Sequence, residues 1–389
     1  PHAQAKFTNQ LQSMSNIPLL IAQDAEWGLS MRLDSVIGLP KQLALGAVRN
    51  NELIFDYGRI VGEQCKRIGV HINLAPVVDV NNNIENPVIN DRSFGENIYN
   101  VANKSIAYMK GMQDKGIIAC AKHFPGHGDT DSDSHKTLPT ISHDRSRLDS
   151  IELYPFKKLI DNGIGSIMSA HLYVPNLDSN KYASSLSKKI NHDLLKEELG
   201  FKGLTITDAL NMKGVTKYFK SGELEVRALL ADNDILLFSE NIPKAIRAIE
   251  NAVEGDIITE EMIEEKVRLI LKVKLWVGLD KYKPIVLPNI TADLNNHKTE
   301  LLKKKIAEYS ITLAKNDDQF LPIRKLHDYS FASVAIGQEN GTPFQKELEN
   351  YIHLDHYSIK DKSHPDTYVY LLDQLKTKDI VFVSVHNLG

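Results

Sequence analysis

Short apolar runs alternate with longer amphipathic stretches over the first 280 residues, and this alternation limits the folds open to the chain. The runs are rich in Val, Ile and Leu and lie at residues 17–22, 70–78, 117–121, 164–170, 204–207 and 234–238. Helical patterns separate them, for example at residues 53–68, 101–115, 150–162 and 258–274. Strands that are apolar on both faces and separated by helices are typical of a covered parallel sheet. Six such strands favour a (β/α)8-type TIM barrel over a short doubly wound sheet, with one or two strands not visible.

The alternation ends in a proline-punctuated connector, and a second α/β pattern follows it. The pattern predicts a barrel domain at residues 1–280, a linker at 281–299 and a partial α/β sandwich domain at 300–389. Within the last domain we predict helices at residues 300–315, 343–352 and 368–375 and strands at 331–336 and 380–385. Because the last strand coincides with the chain end, we expect this domain to be truncated and the natural protein to continue beyond Gly389.

Composition argues against two classes of partner. The formal net charge of −4 provides no basic field for a nucleic-acid backbone. No apolar run reaches the roughly 18 residues that a membrane span requires. Cys65 and Cys120 both lie in apolar segments, which predicts two buried free thiols rather than a disulfide. We therefore expect no nucleic-acid partner and no membrane span in this chain.

Polar side chains directly follow five of the predicted strands, where a (β/α) barrel gathers its chemistry. They are Asp24, Asp79, the pair Lys122 and His123, His171, and Asp208. Any one of them alone is most simply a polar cap on the next helix. Five strand ends that converge on one face favour a shared site over five separate caps. The pattern predicts an active face and leaves the reaction open.

The densest polar constellation runs from Lys122 to His135 and contains three histidines and three aspartates. It offers no helical i, i+4 histidine pair and no thiolate, so we predict neither a metal nor another cofactor. A solvated loop without function remains an alternative. The favoured interpretation is a flexible loop that delivers an acid/base to a fixed pocket. Asp133 lies two residues before His135, and a nearby carboxylate raises the basicity of an imidazole, so the pair can exchange protons near neutral pH.

At these residues the sequence resembles glycoside hydrolase family 3, specifically its β-N-acetylglucosaminidase branch. The resemblance rests on residues 122–128 with 133–135, on 185–187 with 200–204, and on 207–212. It extends from about residue 17 to 279, and the region beyond looks like the start of the family's α/β sandwich domain. The resemblance implies a retaining hydrolase that removes terminal β-linked N-acetylglucosamine through a covalent glycosyl-enzyme. It also implies a carbohydrate substrate, which we expect to be GlcNAc-β-1,4-anhydroMurNAc or a related peptidoglycan fragment.

The resemblance assigns roles position by position. Asp208 looks like the nucleophile, and His135 looks like the acid/base, oriented by Asp133. The residues implied to bind the sugar are Asp24, Arg92, Lys122 and His123, with His171 and Met212 lining the same pocket. A retaining glycosidase needs an ionised carboxylate below the anomeric carbon and a proton donor beside the leaving oxygen. A histidine as donor avoids repelling an anionic aglycone, such as the lactyl group of N-acetylmuramic acid.

Two segments depart from the family pattern. The common Asp-Gln-Glu-Gly-Gly run reads Asp24-Ala25-Glu26-Trp27-Gly28, which keeps the carboxylate and changes the expected shape on the aglycone side. Residues 231–234 read Ala-Asp-Asn-Asp where small residues are usual. Three other functions stay open: a family β-glucosidase, whose branch lacks the Asp-Ser-His loop; a phosphorylase, since a histidine tolerates incoming phosphate; and an inactive sugar-binding barrel, which would require loss of Asp208 or His135.

We expect His135 to be mobile without ligand and to move towards the sugar when the pocket fills. The reason is that Gly126, Gly128 and the polar run 129–134 offer little apolar area for docking. Should His135 not be the acid, Asp129 and Asp131 are the next candidates. For localisation we expect the bacterial cell envelope or periplasm, where two-domain relatives are often exported, with the cytoplasm as the alternative.

Overall fold

Short parallel strands build the centre of the N-terminal part of the chain. The computed structural model describes residues 1–133, 137–360 and 363–386, and its contacts divide the chain into two units, Pro1–Thr312 and Leu313–Gly389. In the first unit the strands lie side by side in chain order and are all parallel: β1 (Ala22–Gln23), β2 (Ile72–Asn73), β3 (Ile118–Phe124), β4 (Ser166–Ser169) and β5 (Leu204–Thr207). Ile235 pairs with Ile206 in a single bridge and continues the sheet beyond β5.

The α/β alternation predicted from the sequence is confirmed, but the described residues do not confirm the complete eight-stranded barrel. The described residues of the first unit form five strands in a curled parallel sheet, and the apolar run 234–238 contributes only the bridge at Ile235. The runs 17–22 and 70–78 yield strands of two residues each. Both runs contain a proline, Pro18 and Pro76, and proline lacks the N–H that a sheet ladder needs.

Helices connect the strands. Asn50 and Asn97 start α3 and α4, because each side chain accepts a hydrogen bond from a backbone N–H of the first turn. The helices of the first unit are α1 (His2–Ser13), α2 (Gln42–Ala47), α3 (Asn51–Arg67), α4 (Ile98–Asp114), α5 (Arg145–Ser150), α6 (Tyr154–Asp161), α7 (Lys213–Thr216), α8 (Glu223–Leu230), α9 (Ile242–Glu254), α10 (Glu260–Trp276), α11 (Ile290–Leu294) and α12 (His297–Ser310), with a π-helical segment at Lys189–Glu198.

Both faces of the sheet are buried, as its apolar runs predict. In β3, Ile118 and Cys120 pack on one face in a cluster that includes Val273 of α10. The alternate residues Ala119 and Ala121 face the other way, into the larger core cluster that contains residues of α3 and α4. This is the two-residue period of a strand buried on both sides. The predicted free thiols are confirmed, since Cys65 and Cys120 are buried and unbridged.

The first unit extends further along the chain than the sequence pattern predicts. Residues 281–299 are predicted to be a linker, and the second domain is predicted to begin at residue 300. Instead, α12 belongs to the first unit, because Leu302 and Ile306 are part of its main core cluster. The connector is fastened as well: Arg67 donates to the carbonyls of Val286 (2.7 Å) and Pro288 (2.9 Å).

The second unit is a separate small α/β unit with a parallel sheet in the order β7–β6–β8. Its elements are β6 (Phe331–Ile336), α13 (Pro343–Leu348), β7 (Asp355–Ile359), α14 (Pro365–Leu375) and β8 (Ile380–Val385). The sequence pattern misses β7, because three of its five residues are Asp355, His356 and Ser358. The imidazole of His356 is hydrogen-bonded in place, with Nδ1 2.6 Å from Ser333 Oγ. In the described parts of both units, no helix combines the length and apolarity that crossing a membrane requires.

A charge cluster around Asp232 ties α10 to the π-helical segment. The Asp232 carboxylate lies 2.6 Å from Lys266 Nζ, 2.9 Å from His192 Nδ1 and 3.2 Å from Lys196 Nζ. Partial burial alone would raise the pKa of Asp232. The hydrogen bonds from Lys266 and His192 and the charges of both lysines outweigh burial and lower this pKa from 3.8 to about 2.

We predict that Asp232 stabilises the first unit above pH 3.8 and that this stabilisation is lost as the pH falls towards 2. The sign follows because the unfolded chain takes up the proton first. Urea unfolding should show Asp232→Asn to be less stable than wild type by about 1 kcal/mol near pH 5, after allowing for partial exposure, and by about half of that near pH 3. The exposed Asp161→Asn should match wild type at both values. An undiminished difference near pH 3 would contradict the prediction.

Candidate active site

A cavity of about 430 Å³ opens at the carboxyl ends of the strands of the first unit. Six of the site residues predicted from the sequence line it together, which are Asp24, Arg92, Lys122, His123, Asp208 and Met212. The other lining residues are Glu26, Trp27, Met31, Arg32, Leu74, Val88, His127, Met168, Ala209, Asn211, Leu237 and Phe238. The wall is thus charged on the side of the strand ends and includes several apolar and aromatic side chains.

A buried lysine is the centre of the charged wall. Lys122, near the end of β3, has only 3% of its side chain exposed, and its Nζ lies 2.8 Å from both Asp24 Oδ1 and Glu26 Oε1. Arg92 grips Glu26 with two hydrogen bonds, from Nε (2.9 Å) and Nη2 (2.8 Å). Arg32 closes the row at the exposed side, 2.9 Å from Asp24 Oδ2. Each of the three cations therefore has a carboxylate partner.

These contacts keep the groups of the wall ionised. Burial alone would raise the pKa of Glu26 and of Asp24, but Lys122 and the neighbouring arginines hold both below their usual range. Burial would likewise lower the pKa of Lys122, and the charges of Glu26 and Asp24 raise it instead. The wall therefore offers carboxylate acceptors and cationic donors side by side over a wide pH range, which suits a polyhydroxylated ligand.

A second buried carboxylate orients two histidines. Asp79 accepts hydrogen bonds from the backbone N–H groups of His123 (3.2 Å) and His127 (2.6 Å), and its Oδ2 lies 2.7 Å from His123 Nδ1. Burial alone would raise the pKa of Asp79, but the contacts with both histidines hold it below its usual value. An ionised carboxylate only accepts, so His123 carries its proton on Nδ1 and has Nε2 left for another partner. Burial lowers the pKa of His127 to about 4, which leaves this imidazole neutral near pH 7.

Asp208 directly follows β5 and stands in the same cavity. Its backbone N–H donates to Ser169 O (2.8 Å), and its Oδ1 accepts from the N–H of Ala209 (2.8 Å). Burial would raise the pKa of this carboxyl, but His171, His123 and the Ala209 N–H hold it below its usual range, with a further contribution from Lys122. Asp208 is therefore an ionised carboxylate with its second oxygen, Oδ2, available on a rigid strand end.

Two of the predicted site residues do not line the cavity, and a third falls outside the described residues. His171 is fully buried and is not among the residues that line the cavity. Its Nε2 lies 3.0 Å from Ala209 O and its Nδ1 2.7 Å from Ser185 Oγ, so it supports the backbone next to Asp208 from behind. Asp133 is also absent from the lining, and its carbonyl accepts from Thr137 N (3.0 Å). His135, predicted as the acid/base, lies outside the described residues.

Among the lining residues that the sequence reasoning did not assign to the site, three bear on its chemistry or its shape. Glu26 is the most important of them, and its signal was a second carboxylate two positions after Asp24 at the same strand end. Trp27, the departure from the family pattern, does line the cavity, with Lys41 Nζ 5.1 Å from its ring centroid. Phe238 is 67% exposed at the rim and has a positive φ of 52°, a conformation that costs energy for a non-glycine residue.

The glycines after His123 do not leave their segment loose, contrary to the expectation from the sequence. Residues 126–128 are buried, and a loop that follows β2 holds them. Asn86 Nδ2 donates to His127 O (2.8 Å) and Gly128 O (3.0 Å), and Asn83 Nδ2 donates to Thr130 O (3.1 Å). The segment lacks apolar area, as predicted, but amide hydrogen bonds replace it. The expected mobility of His135 itself falls outside the described residues.

Two other places deserve comparison with this cavity. A larger cavity of about 770 Å³ lies near the amino ends of β2 and β3, but its carboxylates Glu63 and Asp293 are paired with Lys115 and Arg67. Asp129, His143 and Glu152 each bring one possible metal-ligand atom within 4.8 Å of the others. There the Arg147 guanidinium lies 3.4 Å from Asp129 and 3.1 Å from Glu152, so an arginine supplies the positive charge that these carboxylates need.

We predict that Gly128→Ala destabilises the first unit by about 2 kcal/mol, because overpacking a dense interior forces the backbone apart. A Cβ at Gly128 would lie 1.8 Å from Val80 O, a backbone atom that cannot turn aside. Urea unfolding would measure the loss. Gly38→Ala is the matched control, since its Cβ would meet nothing closer than Ser30 Oγ at 3.9 Å. Equal stability of the two variants would show that the contact of residues 80 and 128 is not close.

Comparison with known proteins shows which family this chain belongs to. The model of the glycosyl hydrolase family 3 N terminal domain matches residues 2–273. Beta-hexosaminidase A of Pseudoalteromonas piscicida is 33% identical over 80% of this chain, and a beta-N-acetylglucosaminidase/beta-glucosidase of Cellulomonas fimi is 26% identical over 86%. The chain spans 56% and 60% of the length of these two relatives. The structure of a glycoside hydrolase family 3 beta-N-acetylglucosaminidase from Paenibacillus sp. is also similar, with 32% sequence identity and a TM-score of 0.84. The match covers 100% of this chain and 76% of the Paenibacillus chain. The family model alone matches well over half of the chain, and the chain therefore belongs to glycoside hydrolase family 3.

Proposed function

We propose that this chain is a retaining β-N-acetylglucosaminidase that removes terminal β-linked N-acetylglucosamine. The observation that carries the proposal is the place of Asp208, an ionised carboxylate on a strand end in the same cavity as Asp24, Arg92 and Lys122. The relatives from Pseudoalteromonas piscicida and Paenibacillus sp. bear names of this activity. Asp208 is the proposed nucleophile, and His135 is the proposed acid/base.

In the proposed mechanism Asp208 attacks the anomeric carbon of the sugar. A bond forms between its carboxylate oxygen and that carbon while the bond to the aglycone oxygen breaks, and this oxygen takes a proton from His135. Water then attacks the same carbon, gives a proton to His135 and releases Asp208. The Ala209 N–H holds one oxygen of the nucleophile during both steps, which keeps the other oxygen aimed at the sugar.

We propose that the charged wall binds the sugar through hydrogen bonds to its hydroxyl groups. Asp24 accepts hydroxyl hydrogen bonds, while Lys122 and the arginines donate them, and His123 contributes Nε2 because Asp79 occupies Nδ1. Arg32 has 49% of its side chain exposed at the outer side of the cavity. A histidine as proton donor does not repel an anionic aglycone as a second carboxylate would, so we propose peptidoglycan fragments that carry a lactyl carboxylate as substrates.

A phosphorylase is the second candidate, since a histidine acid/base tolerates an incoming phosphate. Among the described lining residues, the cations Arg32, Arg92 and Lys122 all have carboxylate partners within 2.9 Å. A phosphate dianion entering this cavity would compete with those carboxylates, whereas water would not. This favours hydrolysis. Assays on p-nitrophenyl N-acetyl-β-glucosaminide and the matching β-glucoside, each with and without phosphate, separate the candidates: faster turnover with phosphate or a preference for the glucoside would overturn the proposal.

Replacing Asp208 with Ala should remove essentially all turnover, at least about 10⁴-fold in kcat, because no covalent intermediate can form. The thermal midpoint should change little, since a carboxylate on a strand end serves chemistry more than packing. Asp161→Asn, an exposed change on α6, is the control and should retain wild-type turnover. A well-folded Asp208→Ala protein with near-normal activity would refute the assignment.

Replacing His135 with Ala should slow substrates according to their leaving groups. A methyl N-acetyl-β-glucosaminide needs protonation of its leaving oxygen, so its kcat/KM should fall by about 10² or more. A 2,4-dinitrophenyl N-acetyl-β-glucosaminide leaves without a proton, and its kcat/KM should fall only a few-fold. Equal losses on both substrates would mean that His135 is not the acid, and Asp129 or Asp131 would be tested next.

A further inference from the structure

A cluster of four ionisable side chains lies beside the segment that carries the proposed acid/base in the sequence. The anchor cluster consists of Asp129, His143, Arg147 and Glu152. Asp129 Oδ2 lies 2.6 Å from His143 Nε2 and 3.4 Å from Arg147 Nη2, and this same Nη2 lies 3.1 Å from Glu152 Oε1. Asp129 and His143 stand at the two ends of residues 129–143, so their contact closes this segment at its base.

Arg147 connects the base of the segment to the rest of the site wall. It belongs to α5. With the Asn82 amide in the orientation that satisfies both of its polar atoms, its oxygen accepts from Arg147 Nη2 at 2.6 Å and its nitrogen donates to Val80 O. Val80 is the residue against which Gly128 packs. The guanidinium therefore joins the loop after β2, both ends of the segment and the start of α6 through Glu152, in one network of hydrogen bonds.

The far end of the segment is held by a second, independent set of contacts. Ile141 N donates to Tyr173 O (2.9 Å), and Tyr173 N donates to Pro139 O (2.8 Å), which pairs this end with the residues after β4. Leu138 packs against the apolar cluster that includes Leu210. Asp208 lies two residues from Leu210, so the far end is fixed to the same stretch of chain that carries the proposed nucleophile.

Arg147 is the cation on which the buried carboxylate of the anchor cluster depends. Glu152 has 3% of its side chain exposed, and the Arg147 guanidinium lies 3.1 Å from its carboxylate. A buried carboxylate without its cation costs free energy, so Glu152 favours the position of Arg147 in the cluster. Anchoring Asp129 and residues 138–143 also shortens the free span of chain, and loop entropy falls as a free span shortens.

We propose that Asp129, His143 and Arg147 are positioning residues that set the reach of the acid/base segment towards the cavity. The proposal rests on the proposed function, since it takes His135 to be the proton donor. Proton transfer depends on distances held to within a fraction of an ångström, so loosening the base of the segment reduces acid catalysis while the nucleophile on β5 stays in place. The expected signature is a loss that depends on the leaving group.

The test compares Arg147→Met with Arg145→Met, a matched change on the same helix whose arginine pairs with Asp149 and Glu198, outside the cluster. For Arg147→Met, kcat/KM on the methyl N-acetyl-β-glucosaminide should fall about 10- to 100-fold and that on the 2,4-dinitrophenyl substrate less than about 3-fold. Arg145→Met should retain wild-type values on both. Equal losses on both substrates, or no loss on either, would overturn the proposal.

Two further measurements keep the test decisive. If Arg147→Met fails to fold, His143→Gln serves instead, because it removes the imidazole that contacts Asp129 but leaves the Arg147–Glu152 pair. Hydrogen exchange of peptides spanning residues 129–143 should be about 10-fold faster in the cluster variant than in Arg145→Met. If wild type cleaves neither substrate, the proposed function fails, and the exchange rates still decide the anchoring: equal rates in both variants would refute it.

Discussion

The buried ammonium group of Lys122 is the interaction on which the site depends. A cation with 3% of its side chain exposed is tolerated only with partners, and Asp24 and Glu26 supply two carboxylates at 2.8 Å each. Arg92 then balances the second of these charges. Removing one partner of such a buried pair costs about 3–5 kcal/mol, because the remaining charge is left unpaired in a poorly solvated place. The same contacts that stabilise the first unit therefore also present charged donors and acceptors to the cavity.

A second constraint is the loop that follows β2 and crosses over the end of β3. Asp79, at the start of this loop, fixes His123 and His127, and Asn86 holds the carbonyls of His127 and Gly128. These are polar contacts between buried groups, so each carbonyl or N–H that the loop satisfies would otherwise carry a desolvation penalty. The glycines in this segment are needed for close approach, as the contact of Gly128 with Val80 O demonstrates. Their presence in a sequence does not by itself indicate a mobile loop.

The sequence predicts those features that depend on local pattern. The two-residue period that buries both faces of β3 and the placement of Asp24, Lys122 and Asp208 at strand ends follow from residue order alone. The direction in which a side chain points after its strand does not follow from residue order. His171 follows β4 as predicted, yet its side chain is hydrogen-bonded to the Ser185 hydroxyl and the Ala209 carbonyl and does not line the cavity.

Other differences have the same origin in long-range contacts. The helix containing Leu302 and Ile306 has an ordinary amphipathic sequence, and only its packing against the first unit decides the boundary between the units. Three of the five residues of β7 are polar and do not alternate, so its sequence does not predict a strand, and its pairing with β6 supplies the backbone partners. Glu26 was visible as a carboxylate near a strand end, but its role depends on Arg92, which is 66 residues away along the chain.

The proposed nucleophile and the proposed acid belong to parts of the molecule that are supported in different ways. Asp208 is fixed by sheet pairing and by the neighbouring backbone N–H, so its position is set by the core of the first unit. Among the described residues of the segment that carries Asp133 and His135, Asp129 is held by side-chain contacts with His143 and Arg147, and residues 139–141 are held by strand-like pairing with Tyr173. A change in the anchor cluster can therefore alter proton transfer without moving the carboxylate that attacks the sugar. Because the anchor cluster has no residue in common with the contacts that hold Asp208, substitutions in the two should act on different steps, and their effects on the attack and on the departure of the aglycone should be separable.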